Sequence, residues 1–194
     1  MIVFRVTLLL ILFVIASPAS AQDATPSAID NADPATITEA LSTAEPPARL
    51  PGDLDDAVEL ETWEEYYGDP LANTEGAWLL TGSLQFPLAT MIVFSSSDNA
   101  EIGLGEYRGQ SSEFTVGELD AWTVADRGKW ICITATGPII VIGQALPVDM
   151  SEPEDEVEQR SCDVVEATLT WLAEEVLEVA PATPSASPTS DPRD

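Results

Sequence analysis

AWTVADRGKWICITATGPIIVIGQ, residues 121–144, consists of three apolar runs cut by two polar breaks, and the fold follows from how it is read. The runs at 121–125, 129–135 and 139–144 are rich in β-branched and aromatic residues, whereas Asp126-Arg127-Gly128 and Thr136-Gly137-Pro138 are turn formers. Short strands joined by tight turns predict an antiparallel meander. Side chains alternate across a strand, so Trp130, Cys132 and Thr134 point to one side and Ile131 and Ile133 to the other. With apolar groups on both faces, the middle strand belongs at the centre of a sheet covered on both sides. That sheet needs a helix as its lid.

The lid follows in the chain. Residues 152–179 begin with acids, which suit the positive N-terminal end of a helix dipole, and stop before Pro181. Cys162, Val165, Leu169, Leu172, Val176 and Val179 recur at three- and four-residue intervals and make one apolar stripe, widened by Val164, Thr168 and Trp171. Glu174, Glu175 and Glu178 oppose the dipole at the far end, with no Lys or Arg there to offset them. Packing must therefore hold this helix.

Upstream, residues 77–84 and 89–94 read as two more strands, with Pro87 in the connection between them. Residues 95–98 offer helix-capping side chains, and Ala100, Leu104 and Tyr107 share one face; against this, Gly103 and Gly105 each cost a helix about 1 kcal/mol relative to Ala. A short helix is the reading adopted for 96–108. Residues 53–67 fit either a strand or a helix. The fold class expected is α+β: an antiparallel meander of about five strands covered by a long C-terminal amphipathic helix. One domain over 53–180 contains all five tryptophans, every tyrosine and both cysteines.

The flanks read differently. ATPSA occurs at 24–28 and again at 182–186, and residues 22–52 and 181–194 are rich in Ala, Pro, Ser, Thr and Asp. Such composition predicts solvated linkers on either side of the domain, or short O-glycosylated stalks. Asn-x-Ser/Thr sequons are absent from the chain. At the start, Arg5 precedes an apolar run that ends at Ser17-Pro18 and is too short to span a bilayer, which needs about 20 apolar residues. Ala19-Ser20-Ala21 supplies the small residues a signal peptidase reads, so residues 1–21 are taken as a signal peptide cleaved between Ala21 and Gln22; an uncleaved membrane anchor is the alternative. The expected location is secreted, or otherwise extracytoplasmic.

Export decides the cysteines. In an oxidising compartment disulfides persist, and Cys132 and Cys162 fall on facing surfaces, one on the lid side of a central strand and the other on the apolar stripe of the helix. A single Cys132–Cys162 disulfide stapling helix to sheet is expected, the alternative being two buried free thiols that act as small hydrophobes.

Charge is the largest departure from average. The chain has 34 acidic residues and 7 basic ones; losing Arg5 with the signal leaves 34 minus 6, a net charge of −28 on the mature protein. That surface repels phosphate backbones and anionic lipid head groups, which argues against nucleic acid and against membrane binding once the signal is removed. Solubility and attraction of cations or basic partners are the two uses of such charge. With no histidine, Ser-His-Asp and Cys-His nucleophile systems and His-ligated metals are excluded. The Cys132 to Cys162 spacing matches no zinc or redox motif, and 103–109 lacks phosphate-loop spacing. The 53–56 and 97–99 stretches are oxygen-rich but do not continue as a calcium loop.

Neither a catalytic residue nor a cofactor or metal site is expected, and no motif identifies a family. The layout alone, a small α+β unit with paired cysteines and a closing helix, resembles small exported bacterial domains of unknown or sensor-like role, and it fixes no binding residue. The first expectation is thus an exported, acidic, non-catalytic binding or interaction module of unknown ligand. A structural or protective acidic surface protein comes second, and a carboxylate-based hydrolase third.

Overall fold

The computed structural model describes residues 25–51, 58–82, 86–108, 112–149 and 151–177. The expected signal peptide, its cleavage point at Ala21 and Gln22, and the expected C-terminal linker at 181–194 all lie outside these residues.

In chain order the elements are α1 (Thr25–Asp30), α2 (Pro34–Thr43), β1 (Glu59–Thr62), α3 (Trp63–Tyr67), β2 (Gly76–Thr81), β3 (Pro87–Val93), α4 (Ser97–Arg108), β4 (Ser112–Val116), β5 (Leu119–Asp126), β6 (Lys129–Thr136), β7 (Ile139–Ala145) and α5 (Glu154–Trp171). A π-helical segment, Leu172–Leu177, continues α5. The strands form one sheet in the order β1-β2-β3-β7-β6-β5-β4, antiparallel throughout. Two meanders meet at β3 and β7. The chain leaves β3, crosses through α4 to the far edge at β4, and returns by three hairpins until β7 lies beside β3.

The expected α+β class and antiparallel sheet are present, but the strand count of about five is corrected to seven. The two strands beyond those five, β1 and β4, are the two edges of the sheet; β1 falls in the stretch that fits either a strand or a helix, and β4 was not expected. An edge strand pairs on one side only and can be short and polar, so ELET and SEFTV give no apolar run to read. The reading of the segment before β2 as strand or helix resolves into both, a four-residue strand followed by a five-residue helix.

The sheet divides two cores. Cys132, Ile139 and Val141 face α5, sharing a core with Val164, Val165 and Leu169, while Ile133 and Ile140 face α4 and pack with Ala100 and Leu104. This is the two-sided burial that the alternation along β6 implies. The glycines at 103 and 105 do not break α4: Gly103 is where the helix approaches Phe94 and Ile140, and a Cβ there would stand 3.1 and 3.3 Å from them.

Over residues 25–51 the solvated-linker expectation is overturned. Ile29, Ile37, Leu41 and Leu50 are each no more than 1% exposed and belong to the α5-side core. The local chemistry favours helix: Asp33 caps α2 by accepting from the Ala35 N–H at 2.9 Å, and Pro34 sits where its missing N–H costs nothing. Ile37 and Leu41, one turn apart, then face the core. The Thr136 hydroxyl donates to the Asp30 carboxylate, tying the end of α1 to the β6–β7 hairpin.

Candidate functional site

Cys132 and Cys162 form a disulfide with their Cα atoms 5.1 Å apart, and the two residues are 0% and 2% exposed. The joint depends on Gly143, the register partner of Cys132 on β7. A Cβ on Gly143 would lie 2.2 Å from the Ser161 carbonyl oxygen and 2.9 Å from Val165 Cγ2. Only a residue without a side chain lets α5 come this close to the sheet. The bridge is a staple, and no thiol remains at this position to react.

Of the oxygen-rich stretches, 53–56 lies outside the described residues, and 97–99 opens α4, where the Asn99 N–H donates to Ser96 Oγ at 3.3 Å and its side-chain amide to Ser95 Oγ at 2.8 Å. Among the described residues, no group of three or more His, Cys, Asp or Glu side chains is placed to hold a metal ion. No helix among them is long and apolar enough to cross a membrane.

Three surface features combine polar and aromatic groups. On α3, a reciprocal capping box fixes the helix directly after β1: Glu65 N–H donates to Thr62 Oγ1, and the Thr62 N–H and hydroxyl donate back to Glu65 Oε2 at 3.0 and 2.8 Å. These bonds hold the Glu65 carboxyl below its ordinary pKa. The box presents Trp63, Tyr66 and Tyr67 together, with ring centroids 4.2 Å apart for Trp63 and Tyr67 and 4.7 Å for the two tyrosines. Burial, then the neighbouring Tyr66, push the Tyr67 hydroxyl up.

A second hollow, of about 470 Å³, lies along the edge strands beside Glu113, Phe114, Asp120 and Trp122. Its ring already has a cation: the Arg108 guanidinium sits 4.3 Å over Trp122 and is held at 2.9 Å by Glu101. The chain thus satisfies this feature internally.

The third is a cleft of about 650 Å³ between α5 and the segment that follows α2. Pro46, Pro47 and Pro51 keep that segment extended once α2 has ended. Pro47 and Leu50 are buried, while Ala48 and Arg49 are exposed, and the segment runs beside the helix as a strap. The opposite wall is one stripe of α5 at helical spacing, Asp163, Glu166, Ala167, Thr170 and Trp171, extended by Glu175 from the π-helical segment. π-helical turns are rare and are found often at functional sites. Three carboxylates and one guanidinium line the cleft, with Ala, Pro and indole surface between them. Trp171 is 3% exposed, and its indole Nε1 is a buried donor with no hydrogen-bond partner.

The sequence reading gave Trp171 a place in the core, which it has, but not a place in a cleft wall. It counted Arg49 and Pro47 among linker residues. Compared with known proteins, the chain matches no family model and no curated sequence.

Proposed function

We propose that the protein works outside the cytoplasm as a non-catalytic binding module for positively charged partners, and that the cleft between α5 and the 47–51 strap is its binding surface. The observation that carries this reading is the composition of that cleft, where Asp163, Glu166 and Glu175 outnumber Arg49 around an apolar floor. Carboxylates at the rim attract and orient a cation, and the Pro and Ala surfaces bury the aliphatic part attached to it. The net charge of −27 on the whole chain supplies long-range attraction for the same class of partner. The buried Cys132–Cys162 bridge suits an oxidising compartment and fixes the α5 wall relative to the sheet. The absence of histidine from the chain removes the usual general base near neutral pH and favours binding over catalysis.

Backbone amide shifts of the folded, oxidised protein test the proposal during titration with a small lysine-containing peptide. Saturable shifts confined to residues 47–51 and 163–175 support it. Weak shifts spread over every acidic face would show only a diffuse charge effect and would overturn the assignment of the cleft.

A further inference from the structure

We infer that the β4 edge of the sheet is a docking surface that takes an extended basic segment of a partner protein as an added strand. The inference rests on the reading of the partner as cationic, and not on the cleft. A sheet edge presents main-chain N–H and C=O groups ready to pair with another chain, and proteins blunt it with proline, lysine, a bulge or a covering element. The two edges here differ. β1 is four residues long and runs at once into α3, whose Glu65 carboxylate takes the Thr62 N–H. β4, SEFTV, has no proline and no lysine, keeps an unbroken register with β5, and among the described residues pairs with β5 alone.

Beside this edge the hollow of about 470 Å³ takes in both faces of the β4–β5 hairpin. Its polar rim is Glu113, Thr115 and Asp120, all exposed, while Phe114, on the opposite face of β4 from Glu113, is half-buried against the α5-side core. Arg108 covers the Trp122 ring and is matched by Glu101, whereas the Glu113 and Asp120 carboxylates make no ion pair among the described residues. An added strand alternates its side chains across the same two faces, so main-chain bonds supply affinity and the side chains supply choice. The chemistry that fits is Lys or Arg on the side of Glu113 and Asp120, with an apolar residue beside Phe114. A second copy of this chain would instead bring its own net charge of −27 to the edge. The chain's own C-terminal residues suit it no better, because Pro181, Pro184, Pro188 and Pro192 interrupt the N–H groups a ladder needs.

The test uses the folded, oxidised protein and a blocked Lys-Val-Lys-Val-Lys peptide, with backbone amide shifts and hydrogen exchange as readouts. Binding should shift residues 112–116 and slow exchange at alternate β4 amides, which diffuse charge attraction would not do. Two further peptides carry N-methyl groups, one on the valines and the other on the lysines. Successive residues of a strand turn their N–H groups to opposite edges, so one of these peptides should bind as the parent does and the other should lose at least about tenfold. A peptide with glutamates in place of the lysines should not bind, and Glu113→Gln should weaken the lysine peptide by about two- to fivefold. Equal affinity for the two N-methylated peptides would overturn strand addition. Shifts confined to 47–51 and 163–175 would overturn the β4 site and leave the cleft, whereas shifts confined to 112–116 would uphold it and overturn the cleft. A protein that sediments as a dimer without peptide, with its β4 amides already protected, would give the edge to a second copy and overturn the inference. No binding of the lysine peptide anywhere would overturn both readings.

Discussion

Gly143→Ala is the smallest change that tests how the helix is joined to the sheet. The added methyl carbon would stand 2.2 Å from the Ser161 carbonyl oxygen, 2.9 Å from Val165 Cγ2 and 3.1 Å from the Val165 nitrogen. Two of these three neighbours are backbone atoms of α5, so no rotamer change relieves the clash. The helix must back away by roughly 1 Å to restore ordinary contact. Adjacent in the chain to Ser161, Cys162 is covalently held to Cys132, the register partner of Gly143, so the retreat is resisted where it is needed. Overpacking of this kind costs about 1–3 kcal/mol, against which Ala in place of Gly in a strand returns about 0.5–1 kcal/mol. With backbone contacts on a pinned helix the upper part of the range applies, giving a net loss of about 2 kcal/mol. Unfolding entropy near 2.1 cal/mol/K per residue over a fold of about 150 residues is roughly 0.3 kcal/mol/K, so Tm should fall by about 6 °C. Differential scanning calorimetry of the oxidised protein measures this directly. In a Cys132→Ala, Cys162→Ala background the helix is free to shift, and the cost of Gly143→Ala should shrink; the difference between the two backgrounds is the coupling between staple and glycine. An oxidised Gly143→Ala protein that melts at or above the wild-type temperature would refute the close-approach account.

Three other outcomes are expected. Replacing both cysteines by Ala opens a loop with a sequence separation of 30; the chain-entropy relation gives about 3.6 kcal/mol, which lowers Tm by about 11 °C, and a fall of under about 3 °C in thermal melts would show that the bridge does not restrain the unfolded chain as supposed. Leu41→Ala removes a side chain that is 1% exposed in the α5-side core, and urea unfolding should register a loss of about 2–5 kcal/mol, whereas a solvated linker would give no change. For Glu65 the folded-state pKa lies below its ordinary value of 4.5, so the capping box contributes stability above that pH and loses it as pH falls through the lowered folded value; a side-chain NMR titration should show the depressed midpoint, and Thr62→Val should raise it.

What could be read from the sequence, and what could not, follows from how each element is stabilised. The strands β5, β6 and β7 lie in the interior or next to it, so their side chains had to be apolar in a fixed alternation, and the turn formers between them marked the hairpins. Cys132 and Cys162 could be paired because each had been assigned to a face separately, by strand period and by helix period. β4 was invisible and β1 ambiguous for the opposite reason: half of an edge strand's backbone faces outward, so its side chains carry little of the burial that produces a pattern. Residues 25–51 were misjudged by composition. Four well-spaced apolar residues in an Ala- and Pro-rich segment leave its average hydrophobicity low, yet Ile29, Ile37, Leu41 and Leu50 are all buried. Asp33-Pro34 followed by Ile37 and Leu41 is a helix start with a one-turn apolar pair, and it was legible had position been weighed above average.

The cleft had no comparable signature. Its walls come from distant parts of the chain, the 47–51 segment and α5. Each of its acids, taken alone, looks like any other solvated glutamate or aspartate on a strongly acidic protein. What sets Asp163, Glu166 and Glu175 apart is that they line one hollow with residues of the 47–51 segment, and that is a property of tertiary placement. The π-helical segment adds to this, since a widened turn carries no residue pattern of its own and is produced by packing at the end of a helix whose last acids oppose its dipole. Of the three cleft acids only Glu175 lies at that end; Asp163 and Glu166 stand further back on α5.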